Sequence, residues 1–256
     1  MNNFEFPSFN PIKGSKGVIY VVQDSDECLR ECIFSAKSLK KFHPDWSITL
    51  FTNLKIENPN PYFDSVVESP IGLHPFKSKI FNIAASPYEQ TLFLDTDTQI
   101  LQPIDELFDA LKSNDLALAH EPYKDNFDLC KNANDFANVN AFNTGVIAFY
   151  YKSNVYAFFK EWYTSIESQP DASLNYFNSD QDYFNKLVIK EGALNDLGIK
   201  LAVLDNKVYN VRTWIIKPLK EMGVFSDVRL LHHRGVHLTK RERIFRLIKR
   251  YMKWRK

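Results

Sequence analysis

With three cysteines, eight glycines and no apolar run approaching the ~20 residues of a membrane-spanning helix, this 256-residue chain lacks the marks of several protein classes. Cys28, Cys32 and Cys130 are odd in number and form no CxxC pair, which excludes a disulfide framework and a zinc ribbon. Cys28 and Cys32 lie four apart on an expected helix and read as small packed side chains. The scarcity of glycine excludes fibrous and low-complexity architectures, and neither a Gly/Ser linker nor an internal repeat divides the chain. The opening MNNFEFPSFNPIKGSKG has no basic segment followed by an apolar one, so no secretory signal is expected. These absences fit a cytoplasmic protein in a reducing compartment. What is present is core material: 45% hydrophobic and 14% aromatic residues, enough for a globular α/β chain and too much for a disordered one.

The net charge of +1 conceals an asymmetry. Residues 240–256, KRERIFRLIKRYMKWRK, hold nine basic residues against one acid, so this segment carries +8 and the remaining 239 residues carry −7. Such a split predicts a body, 1–239, and a separately acting tail, 240–256. As a helix, 241–254 aligns Ile244, Leu247, Ile248 and Tyr251 in one stripe ringed by arginine and lysine. That profile suits an anionic membrane surface, here the inner face of the cell membrane, with a solvated helix packed on the body or an acidic or nucleic-acid contact as the alternatives. On balance, nucleic acid is not an expected partner.

Along the body, VIYVV (18–22) reads as a buried strand, 27–42 as a helix stopped by His43-Pro44, and SITLF (47–51) as the next strand. Strand, helix, strand is the pattern of a parallel βαβ unit. A proline-rich loop follows over 59–75 with a short VV strand inside it. A helix is expected over 76–85 and a central strand at TLFLD (91–95). Further strands are expected at LALAH (116–120), TGVIAFY (144–150), KLAVL (200–204) and VRLLH (228–232), with helices over 153–168 and 180–191. Residues 121–142 read as a long loop suited to substrate contacts.

Three Asp-x-Asp pairs occur, Asp24/Asp26, Asp95/Asp97 and Asp180/Asp182. Only Asp95/Asp97 ends an apolar strand, where an open α/β sheet places its ligands and where alternate residues project the same way. Carboxylates that close repel unless a cation lies between them or one is protonated. A divalent metal shared with a diphosphate, Mg²⁺ or Mn²⁺, answers that need; the bland alternative is a turn or capping pair. His232, at the end of a late apolar strand, is a candidate third ligand whose nitrogen tilts the preference toward Mn²⁺.

In order, GVIYVVQDSD, KIFNIAASPYEQTLFLDTDTQILQPIDELF, AFNTGVIAFYYKS, SDQDYFNKL and LLHHRG give residues 17–237 a pattern that resembles the GT-A-fold glycosyltransferases. The likeness is to family 8 and to bacterial nucleotide-diphospho-sugar transferases. It implies a GT-A, Rossmann-like mixed sheet with helices on both faces. By the same resemblance Val22 and Asp24 match base-contacting positions, Lys79 (or Lys77) a basic residue near the donor, Asp95 a ribose and metal contact, and Asp97 and His232 (or His233) metal ligands. Asn143, Thr144 and Gly145 match a motif lining donor sugar and acceptor, and Asp180 and Gln181 the pair beside the anomeric carbon. Family 8 members often carry a diphosphate-binding lysine where this chain has Leu238, leaving Lys240, Arg234 or Arg212 to supply that charge.

The implied activity is transfer from a nucleotide-diphosphate sugar, a UDP-sugar by preference, to a hydroxyl of a glycan or glycolipid precursor such as those of lipopolysaccharide synthesis. Mn²⁺ or Mg²⁺ is the implied cofactor. Asp180 and Gln181 would orient the donor sugar, although Ser179-Asp180-Gln181-Asp182 also reads as a helix start. Two rivals stand beside this reading. One is a catalytically silent GT-A domain that binds glycans or scaffolds a membrane complex. The other is a haloacid-dehalogenase-type phosphatase, disfavoured because its Asp-x-Asp lies on the first strand and is followed by threonine at the position of Gln99.

Overall fold

A computed structural model describes residues 4–56, 60–122, 141–175, 178–235, 237–238 and 242. The tail 240–256, apart from Glu242, and most of the 121–142 loop lie outside these residues.

The strands are β1 (Ile12–Val22), β2 (Ser47–Thr52), β3 (Ser65–Glu68), β4 (Tyr88–Leu94), β5 (Thr98–Ile100), β6 (Leu116–His120), β7 (Phe142–Tyr150), β8 (Leu201–Leu204), β9 (Val211–Arg212) and β10 (Leu230–His232). The helices are α1 (Asp26–Lys40), α2 (Pro75–Ile83), α3 (Glu106–Asp109), α4 (Ser153–Glu167), α5 (Asp180–Asn185), α6 (Ala193–Asp196) and α7 (Thr213–Glu221). Seven strands form one mixed sheet in the order β3-β2-β1-β4-β7-β6-β8, and β5-β10-β9 form a small second sheet. Strands β3, β2, β1 and β4 run parallel, and β7 joins β4 antiparallel.

The apolar run of β1 is continuous because both faces of the sheet are covered. Val18, Tyr20 and Val22 pack on the α1 side with Leu39, Leu92 and Leu94. Ile19 faces the other way, into a core built with Phe93, Ile147 and Phe149 from the sheet and Ile80, Phe158, Trp162 and Phe184 from α2, α4 and α5. Each helix start has a local cause. Ser25 caps α1 by accepting from the Cys28 N–H, Pro75 opens α2, and Ser179 and Asp182 form a reciprocal capping box on α5.

The expected strands and the helices at α1, α2, α4 and α5 are present, the last continuing as a π-helical stretch over Lys186–Lys190. Four features depart from the sequence reading. β1 begins at Ile12, since Gly14 takes φ 75° and the pairing with β4 shifts register between Ile12 and Lys16, hiding the alternation. β5 and β9 are two or three residues long and carry no periodicity. α3 is a single turn. α7 carries Pro218 in its interior, where proline removes a helical hydrogen bond, and is held instead by burial of Ile215 and Leu219. Among the described residues no helix is long and apolar enough to cross a membrane.

Gly17 shows how tightly β1 and β4 are joined: a Cβ there would lie 2.4 Å from Cζ of Tyr88, whose hydroxyl pairs with Thr49 at 2.8 Å. Gly17→Ala is expected to lower the unfolding free energy by ~1–3 kcal/mol, measured by urea denaturation, because the ring is walled in. An unchanged midpoint would contradict this packing.

Candidate functional site

The site forms where β4 ends. Asp95 follows Leu94, and its N–H still donates to Gly145 O of antiparallel β7 at 2.8 Å, so the carboxylate stands at the lip of the sheet between parallel and antiparallel halves. The chain then turns into β5, which pairs with β10 so that His232 lies opposite Thr98. His233 N–H donates to Asp97 O at 2.8 Å. This small sheet is what carries a histidine from the far end of the chain to the aspartates. His232 Nε2 lies 3.1 Å from Asp97 Oδ1 and 3.5 Å from Asp95 Oδ2. Asp95, Asp97 and His232 can each offer one ligand atom within 4.8 Å of the others. Of the three Asp-x-Asp pairs, it is Asp95/Asp97 that meets a histidine in this way.

The opposite wall comes from α2 and α5. Residues two apart on a helix point to different sides. Lys77 accordingly reaches the Gln169 carbonyl and Asp171, both at 2.8 Å, while Lys79 reaches Asp95 at 3.2 Å, Asp180 at 2.8 Å and the Thr144 hydroxyl at 3.2 Å. Thr144 also donates to Asp180 Oδ2 at 2.9 Å, and its N–H donates to Gln181 Oε1 at 3.2 Å. Asp182 takes the capping role on α5, which leaves the buried Asp180 carboxylate facing Lys79 and Thr144.

Charge balance is tight. Burial pushes the Asp95 carboxyl up, against the pull of Lys79 and His232, and neighbouring Asp97 and Asp180 add to the rise. Burial also acts on Asp97, but His232, by charge and hydrogen bond, and Arg212 outweigh it and hold that carboxyl well below the usual range. Burial alone would lower the Lys79 ammonium; Asp180 and Asp95 reverse this and raise it.

Gly145 keeps the crevice open. A Cβ there would sit 2.1 Å from Cε1 of His232 and 2.8 Å from Asp95 Oδ2. Asn143 is buried, accepting from the Gly145 N–H and from Asn210 Nδ2 and donating to Glu121. Val22 packs into the core under α1. Asp24 stands exposed beyond β1 at φ 54°, paired twice with Asn53. Around the resembling motif's altered end, Leu238 closes a turn onto Gly235, Arg234 is exposed and Lys240 lies outside the described residues. Arg212 faces Glu121 at 3.6 Å and stacks on Trp214. Asn210 and Glu121 escaped the sequence reading. An asparagine at φ 65° is the one trace Asn210 leaves, and it is visible only in the backbone.

The sequence matches the nucleotide-diphospho-sugar transferases over residues 90–237, more than half of the chain. The chain belongs to that family. No curated protein matches it. Its fold is the GT-A fold of solved glycosyltransferases. WbbM, a bifunctional glycosyltransferase, superposes with a TM-score of 0.55 at 14% identity, covering 88% of this chain and 47% of that one. GlyE of Streptococcus pneumoniae gives 0.56 at 14% identity, with 88% and 55% covered. The galactosyltransferase LgtC, solved with donor and acceptor sugar analogues, gives 0.52 at 14% identity, with 86% and 87% covered. The chain thus spans about half the length of the WbbM and GlyE chains. Within this family member the matched segment contains Asp95, Asp97, Asn143, Thr144, Gly145, Asp180, Gln181 and His232, and begins after Lys79 and β1.

The Gly145 contact is directly testable. Gly145→Ala should cost ~1–3 kcal/mol of unfolding free energy in urea, since either the His232 ring or β7 must move. A variant as stable as the unsubstituted chain would show that the imidazole does not rest against Gly145.

Proposed function

We propose that this chain transfers a sugar from a nucleotide-diphosphate donor, a UDP-sugar by preference, to a hydroxyl of a glycan or glycolipid precursor. The observation that carries the reading is the meeting of Asp95, Asp97 and His232 at the end of β4. Two carboxylates and one imidazole, each offering one ligand atom within 4.8 Å of the others, are a donor set suited to Mn²⁺, with Mg²⁺ the alternative. Bound to these three residues, the cation would supply positive charge against that developing on the leaving nucleoside diphosphate.

The protein's own groups do the rest. Lys79 lies between Asp95 and Asp180, 3.2 Å from one carboxylate and 2.8 Å from the other. Asp180, fixed by Lys79 and Thr144, can stabilise an oxocarbenium-like sugar, and Gln181, anchored to the Thr144 N–H, can orient it. Arg212 is the described cation best placed to take the diphosphate role left vacant at Leu238, since its charge already acts on Asp97. Asp24 and the main chain at Val22 lie where the first strand ends and would meet the base. The silent-domain alternative finds no support in a site with its acidic, basic and imidazole groups assembled. A phosphatase of the dehalogenase type is disfavoured by the family match and by the position of Asp95 on the fourth strand.

Asp97→Ala should lower Mn²⁺-dependent hydrolysis or transfer of a UDP-sugar at least about 100-fold, the order expected when a group acting on developing charge is lost. Near-normal turnover in this variant would remove the core of the proposal. The tail, 240–256, adds a second expectation from its charge and apolar stripe, namely peripheral attachment to an anionic membrane where a lipid-linked acceptor resides. Anionic liposomes should sediment the full chain and leave a chain truncated after Leu238 in solution; equal sedimentation would exclude the tail from membrane attachment.

A further inference from the structure

His232 has two ring nitrogens, and only Nε2 faces the aspartates. What decides which nitrogen a cation can take is the partner of Nδ1, which is Oδ1 of Asn210 at 2.5 Å. The asparagine is wholly buried, so no water competes for this contact.

Which way its amide points follows from donors and acceptors whose identity is fixed. Glu121 presents a carboxylate oxygen to Asn143, and the Gly145 main-chain N–H can only donate. Asn143 therefore turns Nδ2 to Glu121 and Oδ1 to Gly145. The same Oδ1 receives Nδ2 of Asn210 at 2.7 Å. Reversing Asn143 would set oxygen against the Glu121 carboxylate and N–H against N–H; reversing Asn210 would set oxygen against Asn143 Oδ1. With both amides fixed, Asn210 can offer His232 only an acceptor, and Nδ1 must bear the proton.

We propose that Asn210 is a positioning residue for the Asp95/Asp97/His232 site, anchoring the Nδ1–H of His232 so that Nε2 is the nitrogen turned to the carboxylates and left to a cation that binds there. The arrangement starts at Glu121, held beside Arg212, and passes through Asn143 and Asn210 to the ring. It resembles in logic the outer hydrogen bonds that orient metal-binding histidines. It also accounts for a buried asparagine at φ 65°, a backbone region that asparagine and glycine tolerate far better than other residues. The inference rests on the metal reading above.

The test uses the full chain and two variants chosen for that backbone. Asn210→Gly removes the acceptor and keeps the left-handed conformation; Asn210→Asp keeps an oxygen acceptor toward Nδ1, and its buried carboxyl meets Asn143 Oδ1 through a carboxyl proton. Mn²⁺ alone is titrated and the free ion followed by its electron paramagnetic resonance signal, with circular dichroism and thermal melting to confirm folding. Asn210→Gly should weaken Mn²⁺ binding about 10- to 100-fold, and Asn210→Asp should recover most of it. In the metal-free unsubstituted chain, imidazole ¹⁵N shifts of His232 should show a proton on Nδ1, whether or not Nε2 also carries one beside Asp97. An Nδ1 without a proton, Asn210→Gly binding Mn²⁺ as tightly as the unsubstituted chain, or Asn210→Asp binding no better than Asn210→Gly would overturn the inference. An unsubstituted chain that takes up no Mn²⁺ would bring down the metal reading as well.

Discussion

Three carboxylates share one small, water-poor crevice, and the local structure is arranged to make that tolerable. Asp95, Asp97 and Asp180 would repel one another strongly where little solvent screens them. Lys79 is wedged between Asp95 and Asp180, His232 lies against Asp95 and Asp97, and Arg212 acts on Asp97 from the side. The result is unequal, with the Asp97 carboxyl held low by His232 and Arg212 and the Asp95 carboxyl pushed up by burial. Such a site gains from any further cation, and this links the electrostatics to the proposed chemistry.

The fold supplies the places for these groups. A parallel sheet alone would bring the ends of β1 and β4 together but would put the start of its next strand at the far edge. Because β7 runs antiparallel to β4, its first residues, Asn143 to Gly145, arrive at the same edge as Asp95. The second sheet then folds β10 back over that edge through β5. Glu31, buried on α1, receives the Gly235 N–H and so ties the segment after His232 to the body of the domain. Family membership and the GT-A architecture agree with this plan, while the roles of individual side chains stand on their geometry.

How much of this could be read from the chain depends on how local each cause is. The interior strands were legible because burial on both faces writes continuous apolar runs, and Asp95/Asp97 was legible because it ends one of them. The choice between Lys77 and Lys79 was not, since it turns on the phase of α2 relative to Asp171 and to Asp180 at the start of α5, more than ninety residues away in sequence. His232 was a candidate from its place at the end of a late apolar strand and gained weight from resemblance, but its partner β5 has three residues and no pattern. Asn210 lies in a polar stretch, DNKVYN, where nothing separates a buried hydrogen-bonding amide from an ordinary turn. α7 was hidden by Pro218. For Lys79, His232 and Asn210 the missing information is a long-range pairing.

The most direct measurement is an anomalous-difference map at the manganese edge, from crystals grown with Mn²⁺ and UDP. The account predicts a single strong peak bonded to carboxylate oxygens of Asp95 and Asp97 and to Nε2 of His232, with the diphosphate completing the shell. A peak held by other residues, or one that leaves His232 unbound, would contradict it.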